Sequence, residues 1–128
     1  KASPRCYDFA IRASAGETEL MVDWEPAMRT LIDDVQSGVV ATLVSQAFHQ
    51  GLAAAIREVA TRVGERQVVL TGGCFQNALL SNLTIALLQR AGLSVYWHQQ
   101  APANDGGLAL GQAAWAAHFA AKEHASCA

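Results

Sequence analysis

The sequence of 128 residues has little of what several large classes of protein depend on. Its three cysteines, Cys6, Cys74 and Cys127, lie far apart, so neither a disulfide framework nor a Cys-x-x-Cys metal site is expected. Nine basic against 11 acidic residues, with a pI near 6.1, argue against binding to nucleic acid or to an anionic membrane surface. Because the sequence also has no membrane-length apolar run and no secretory signal, a cytoplasmic location is expected.

The length and composition of the chain predict one compact domain, residues 1–128. Hydrophobic residues make up 52% of the sequence and charged residues 16%, which is too little charge for a disordered chain. Many of the hydrophobic residues are alanine, so the core must be built mainly from leucine, valine, isoleucine and aromatic side chains. The sequence starts within an apparent strand and without methionine, which suggests a fragment of a longer polypeptide.

The periodicity of the first half predicts a β-hairpin followed by two helices. Apolar and polar residues alternate over 7–12 and again over 20–24, and the turn residues 14–17 lie between them. Helical spacing then predicts one helix between Asp23, its N-cap, and Gly38, and a longer helix over 40–63.

The second half reads as a β-α-β-α unit. Strands are predicted over 67–71 and 93–97, the first buried on both faces, with helices over 77–91 and from Gly107 to about Lys122. Such short connections enforce a right-handed crossover, so the two strands should be parallel neighbours. The fold class is therefore α/β, and the loops 71–77 and 98–107 should lie at the same edge of the sheet, where open α/β sheets bind ligands.

Each of these loops permits a functional and a structural interpretation. Gly72 and Gly73 could bring backbone N–H groups close to a phosphate at a helix N-terminus, although a tight strand-to-helix turn requires glycine as well. Asp105 could supply one hard oxygen ligand to a metal, although aspartate at this position is more commonly an N-cap. Spacing alone favours the structural interpretation in both loops.

Other residues with reactive or aromatic side chains give weaker signals. Cys74 could be an activated thiol at a helix N-terminus, but a small buried thiol is the simpler expectation. No two histidines form a ligand pair, so they are expected to be ordinary surface or boundary residues. The tryptophans are too dispersed for a stacking platform and are expected in the core. These residues are His49, His98, His118, His124, Trp24, Trp97 and Trp115.

Three segments together resemble a known family. The stretches 69–77, 92–96 and 102–112, with support from 23–38 and 47–49, are similar to the C-terminus of HypF, the carbamoyltransferase family of nickel–iron hydrogenase maturation. The combination of Gly-Gly-x-Phe-Gln-Asn with Asn-Asp-Gly-Gly-Leu-Ala-Leu-Gly-Gln is far more specific than either motif alone. The resemblance extends over most of the chain.

The resemblance implies the second lobe of an actin-like ATPase (ASKHA) fold that holds ATP and a divalent metal between two lobes. Iron, zinc and magnesium all fit a single carboxylate. The family forms carbamoyl-adenylate from carbamoyl phosphate and ATP, and then carbamoylates the C-terminal cysteine thiol of an acceptor protein. By position, Gly72, Gly73 and Asn77 match its phosphate-binding residues and Asp105 matches its metal ligand. The catalytic residues stay unidentified.

Much of the family's machinery has no counterpart in this sequence, including the His-x-x-x-His metal ligands and the nucleotide loop of the first lobe. The remainder of the polypeptide is therefore an expected partner, and the isolated chain is expected to be inactive. Two alternatives stay open: a non-catalytic interaction or scaffold domain with the same lobe fold, and a relative of the tRNA threonylcarbamoyl-transferases.

Overall fold

The computed structural model describes residues 6–13 and 19–126. The elements follow the predicted order: β1 (Ala10–Ala13), β2 (Leu20–Asp23), α1 (Glu25–Gln36), α2 (Ala41–Val63), β3 (Gln67–Leu70), α3 (Ala78–Arg90), β4 (Ser94–Trp97) and α4 (Leu108–Ser126). Two short 3-10 helices, Gly73–Gln76 and Asp105–Gly107, precede α3 and α4. The predicted turn at 14–17 and Cys127 lie outside the described residues.

The strands form two separate two-stranded sheets. In the first, β1 and β2 are antiparallel, with Ile11 opposite Val22. In the second, β3 and β4 are parallel, with Val68 opposite Val95, and α3 is the crossover between them. The hairpin, the intervening helices and the β-α-β-α unit with its parallel pair are therefore confirmed.

Local signals set the helix ends. The Asp23 carboxylate accepts a hydrogen bond from the backbone N–H of Glu25 (3.0 Å), although Trp24 occupies the N-cap position itself. α2 ends at Gly64, which adopts φ +81°, a left-handed conformation that glycine tolerates without strain. α4 continues to Ser126, four residues beyond its expected end, because the alanine-rich sequence there contains no helix breaker.

The core lies where the N-terminal segment, α1 and α2 meet. Its buried members are Tyr7, Phe9, Ala27, Ala47 and Ala55. Gly51 of α2 makes this packing possible, since a Cβ there would overlap the Tyr7 carbonyl oxygen. The Tyr7 hydroxyl donates to Asp34 Oδ2 (3.0 Å), which ties the N-terminal segment to α1. In the C-terminal half, Leu80, Thr84 and Leu88 bury one face of α3, whose main helical neighbour is α2.

Several residues expected in the core are exposed instead. Val69 of β3 is 65% exposed, so this strand is not buried on both faces, and the three tryptophans are exposed as well. The Cys74 thiol is also exposed, contrary to the buried thiol expected from the sequence. For Val69 and Trp115 the reason is that, within the described residues, no further layer covers the outer face of β3 or the outer surface of α4. No helix in the described part of the chain has both the length and the apolar character to cross a bilayer.

Candidate functional site

The carboxyl ends of β3 and β4 bring loops 71–77 and 98–107 together. The Gly72 N–H donates to the Ala103 carbonyl oxygen (2.7 Å), and His98 Nε2 lies 3.2 Å from Thr71 Oγ1. These are two direct links between loops that stand about 30 positions apart in sequence. The arrangement is the one expected for a ligand site at the edge of a parallel sheet.

The two glycines of the first loop have different roles. Gly72 adopts φ +101° and ψ 158°, a backbone conformation essentially confined to glycine, and its N–H is used by Ala103. Gly73 opens the 3-10 helix, and no residue in the described part of the chain accepts a hydrogen bond from the N–H of Gly73 or Cys74. A Cβ at Gly73 would meet nothing within 4 Å. The loop therefore has two backbone donors without an acceptor among the described residues, and open space beside Gly73 where a side chain would be.

Asn77 ends this loop and begins α3. Its Oδ1 accepts hydrogen bonds from the N–H groups of Leu79 (3.0 Å) and Leu80 (3.1 Å), which makes it the N-cap of the helix. Its Nδ2 lies 2.9 Å from Nε2 of His49 on α2. The sequence predicts only an ordinary surface or boundary histidine at His49, and the one signal for it is its place in the segment 47–49 that resembles the HypF family.

In the second loop the cap is Asn104 and not Asp105. Asn104 Oδ1 accepts from the Gly106 N–H (3.0 Å), so the expected capping role of Asp105 is wrong. Gly107 is required sterically, because a Cβ there would lie 2.6 Å from the Pro102 carbonyl oxygen. The Asp105 side chain is exposed and makes no hydrogen bond or ion pair with any described residue. Its carboxylate is therefore available to a ligand.

A complete metal site is not present among the described residues. They contain no group of three or more histidine, cysteine, aspartate or glutamate side chains that could hold an ion. Asp105 alone supplies one carboxylate, whereas hard divalent cations take about six oxygen ligands. This donor set fits a metal only if further ligands come from another part of a larger protein.

The loops carry no cationic side chain. Neither 71–77 nor 98–107 contains lysine or arginine. The ion pairs among the described residues lie in the N-terminal half, for example Arg12 with Asp23 (2.9 Å) and Arg62 with Glu58 (2.8 Å). Any anion bound at the loops would therefore depend on backbone N–H groups of this chain and on charges from elsewhere.

Two cavities flank the site. A cavity of about 360 Å³ lies between Thr71, the second loop and the start of α4, and its mainly apolar lining includes polar groups of Thr71, His98, Asn104 and Gln112, with Trp115 at one side. A larger groove of about 630 Å³ runs along β3 and α2 and is lined mainly by apolar side chains such as Ile56, Val69 and Phe75. Both cavities are therefore lined mainly by apolar surface, and Gly72, Gly73, Asn77 and Asp105 lie outside the lining of either one.

Comparison with known proteins defines the class. Residues 1–112 match the family described as carbamoyltransferase, Kae1-like domain, second subdomain. The structure aligns with a TM-score of 0.78 and 31% identity to the crystal structure of full-length HypF in the phosphate- and nucleotide-bound form, covering 88% of this chain and 15% of that one.

Curated relatives give the same assignment. The chain is 38% identical over 96 residues to the carbamoyltransferase HypF of a Synechocystis species, covering 75% of this chain and 12% of the relative. It is 37% identical over 128 residues to HypF of Rhizobium leguminosarum bv. viciae, covering 97% of this chain and 16% of the relative. The chain belongs to the HypF carbamoyltransferase family and corresponds to the second subdomain of its Kae1-like domain. It spans less than a fifth of the length of these relatives.

Proposed function

We propose that this chain, residues 1–128, is the C-terminal lobe of an ATP-dependent carbamoyltransferase and forms one wall of its nucleotide and metal site. The complete enzyme acts in the cytoplasm, in the maturation of nickel–iron hydrogenases. It uses carbamoyl phosphate and ATP to form carbamoyl-adenylate, and it transfers the carbamoyl group to the C-terminal cysteine thiol of an acceptor protein. The remainder of the polypeptide supplies the opposite wall and the other metal ligands.

One observation carries this proposal: the hydrogen bond from Gly72 to Ala103 joins the two loops at the sheet edge. It places the free N–H groups of Gly73 and Cys74 and the free carboxylate of Asp105 on linked loops at one edge of the sheet. Backbone donors suit phosphate oxygens, and a carboxylate suits a divalent cation that neutralises the same phosphates. The structural relative bound to phosphate and nucleotide supports the same ligand class.

Gly72 and Gly73 do not act together as one phosphate-binding pair. Gly72 keeps the two loops together, while Gly73 supplies the N–H and the open space for the phosphate. Asn77 has its carbonyl oxygen committed to α3, so only its amide N–H can reach a ligand. Asp105 binds the metal as one ligand among several, of which the others lie outside this chain.

The exposed apolar surface is consistent with a lobe that needs a partner. Trp97, Leu108 and Trp115 are all exposed close to the loops. Half a cleft leaves the bound phosphates hydrated, and each hydrogen bond then contributes only about 0.5–1.5 kcal/mol. Because association costs about 4–15 kcal/mol, the isolated chain should bind ATP no tighter than millimolar and should be inactive.

The experiment is a chimera in which this chain replaces the corresponding segment of Rhizobium leguminosarum HypF. Calorimetry should show ATP binding by the chimera and almost none by the isolated 128 residues. Gly73→Val should weaken ATP binding sharply, because its branched side chain fills the space that the phosphate needs. Ala91→Val, on an exposed residue at the far end of α3, is the matched control and should bind normally.

Two outcomes would contradict the nucleotide assignment. Micromolar ATP binding by the isolated chain would mean that the site is complete within it. Unchanged binding by the Gly73→Val chimera would remove the first loop from the site.

The metal assignment has a separate test in the same chimera. Asp105→Asn should lower the metal content of the purified protein and abolish carbamoyl transfer, while the circular dichroism spectrum stays unchanged. Asp33→Asn, on the exposed surface of α1, is the control and should alter neither. Unchanged metal content and activity in Asp105→Asn would exclude this carboxylate from the site.

A further inference from the structure

A chain of side-chain hydrogen bonds connects α2 to the start of α3 through His49 and Asn77. His49 Nδ1 lies 2.7 Å from the Ser45 carbonyl oxygen, and its Nε2 lies 2.9 Å from Asn77 Nδ2. We propose that His49 is a positioning residue, which orients the Asn77 amide so that its one remaining N–H has a fixed direction towards the ligand. The part of this inference that concerns the ligand rests on the proposed function of the loop.

The hydrogen-bond partners determine the orientation of both side chains. Two backbone N–H groups, from Leu79 and Leu80, point at one end of the Asn77 amide, so that end is the carbonyl oxygen Oδ1. The end that faces His49 is consequently the NH₂ group, which can only donate. His49 Nε2 must therefore accept, and it does so with its lone pair.

The hydrogen-bond partners of His49 also determine its tautomer. The Ser45 carbonyl oxygen can only accept a hydrogen bond, so Nδ1 of His49 must carry the proton. The ring is thus neutral, with its hydrogen on Nδ1 and its lone pair on Nε2. Both ring nitrogens are engaged within the chain, which leaves neither of them free to act as a metal ligand or as a general base.

Counting donors and acceptors shows what is left for a ligand. The Asn77 carbonyl oxygen has two lone pairs, and α3 uses both. Its NH₂ group has two hydrogens, and His49 accepts one. One N–H is left on an exposed side chain next to the free donors of the first loop, and the plane of the amide determines its direction.

His49 adds an anchor that the helix cap alone does not provide. The two backbone donors hold only the oxygen end of the amide, whereas the bond to His49 holds the nitrogen end against α2. The anchor therefore lies on the element that packs most extensively against α3. Loss of one such bond corresponds to a weakening of ligand binding of about three- to tenfold.

Three substitutions of His49 separate positioning from simple packing. His49→Gln can place its Oε1 near the former Nε2 and accept from Asn77. His49→Asn is too short to reach it, and His49→Phe retains an aromatic ring without any acceptor. If His49 only fills space, the effect of each substitution should depend on the size and shape of the new side chain. If His49 positions Asn77, the effect should depend on whether the new side chain has an acceptor within reach of the Asn77 amide.

The first measurement uses nitrogen-15 NMR on the 128-residue chain without ligand. The chemical shifts of the His49 ring should show a protonated Nδ1 and an unprotonated Nε2 at neutral pH. The side-chain NH₂ signals of Asn77 should be protected from exchange in the unsubstituted chain and in His49→Gln, and should lose protection in His49→Asn and His49→Phe. A proton on Nε2, or loss of protection in His49→Gln equal to that in His49→Phe, would overturn the proposal.

The second measurement is ATP affinity in the chimera described above. His49→Asn and His49→Phe should weaken binding about three- to tenfold, and His49→Gln should restore most of the affinity. If Gly73→Val abolishes binding but all three His49 variants bind as tightly as the unsubstituted protein, the role of His49 in ligand binding is overturned and the proposed function stands. If no variant affects binding, Gly73→Val included, the proposed function of the loop fails, and the NMR result alone decides how Asn77 is held.

Discussion

The two strand–loop–helix units of the C-terminal half have the same order of local elements, but their helices differ in how much of their surface is buried. Each begins with a strand of four residues, continues through a glycine-containing loop with an asparagine cap, and ends in a helix. In the first unit, α3 buries Leu80, Thr84 and Leu88. In the second unit, α4 leaves Leu108, Leu110 and Trp115 exposed.

The difference shows which feature is local and which depends on a neighbour. Capping and glycine conformations determine where each helix begins, and both loops follow these rules without help from the rest of the chain. Burial depends on a packing partner, which α3 finds in α2 and α4 does not find among the described residues. The second unit is therefore the part of this lobe that most needs the remainder of a larger protein.

Buried and exposed leucines should give the largest contrast between the units. Leu88 of α3 is fully buried, so Leu88→Ala should lower the free energy of unfolding by about 2–5 kcal/mol, from lost burial and the cavity left behind. Leu110 of α4 is 62% exposed, so Leu110→Ala should change the free energy of unfolding by less than about 0.5 kcal/mol. Urea denaturation of the 128-residue chain measures both, and a comparable loss from Leu110→Ala would show that α4 is packed after all.

The glycines of the two loops should give the next largest contrast. Gly107→Ala places a Cβ 2.6 Å from the Pro102 carbonyl oxygen, and backbone must move to relieve it, at a cost of about 1–3 kcal/mol. Gly73→Ala meets nothing within 4 Å and should leave stability within about 0.5 kcal/mol. The same denaturation experiment compares them. Equal stabilities of the two variants would mean that the second loop is not held as tightly against Pro102 as the structure indicates.

The element order and the parallel strand pair could be predicted because their signals are local. Alternation, helical spacing, and breakers such as Gly64 and Gly92 each act within a few residues of chain. Burial was predicted less well, since it is a property of neighbouring layers. The pattern around Val69 is typical of a strand buried on both faces, and the residue is nonetheless 65% exposed because the described residues cover only one of these faces.

The meeting of the two loops at one sheet edge could be predicted from the sequence, but the contacts within and around the loops could not. His49 and Asn77 lie 28 positions apart, and only the packing of α2 on α3 brings their side chains to 2.9 Å. The Gly72–Ala103 bond likewise follows from the parallel register of β3 and β4, which brings two distant loops to one edge. Asn104 replaced Asp105 as the cap because both residue types cap well, and composition alone cannot distinguish adjacent candidates.

The asparagine caps should give the smallest contrast. Asn77→Ala removes two hydrogen bonds to the first turn of α3, and we expect it to cost about 0.5–2 kcal/mol of stability. Asn104→Ala removes one bond to a three-residue 3-10 helix in an exposed loop, and should cost less than about 0.5 kcal/mol.

Aspartate at position 77 is the control that separates the capping of α3 from the contact with His49. Asn77→Asp keeps an oxygen for the N–H groups of Leu79 and Leu80, and its negative charge is favourable at a helix N-terminus, so stability should be retained. It has no NH₂ group, however, so the bond to neutral His49 should be lost while α3 stays intact. Urea denaturation together with the NMR signals of the His49 ring would check both statements. A stability loss in Asn77→Asp as large as that in Asn77→Ala would assign the stabilising effect of Asn77 to its contact with α2, and not to the cap of α3.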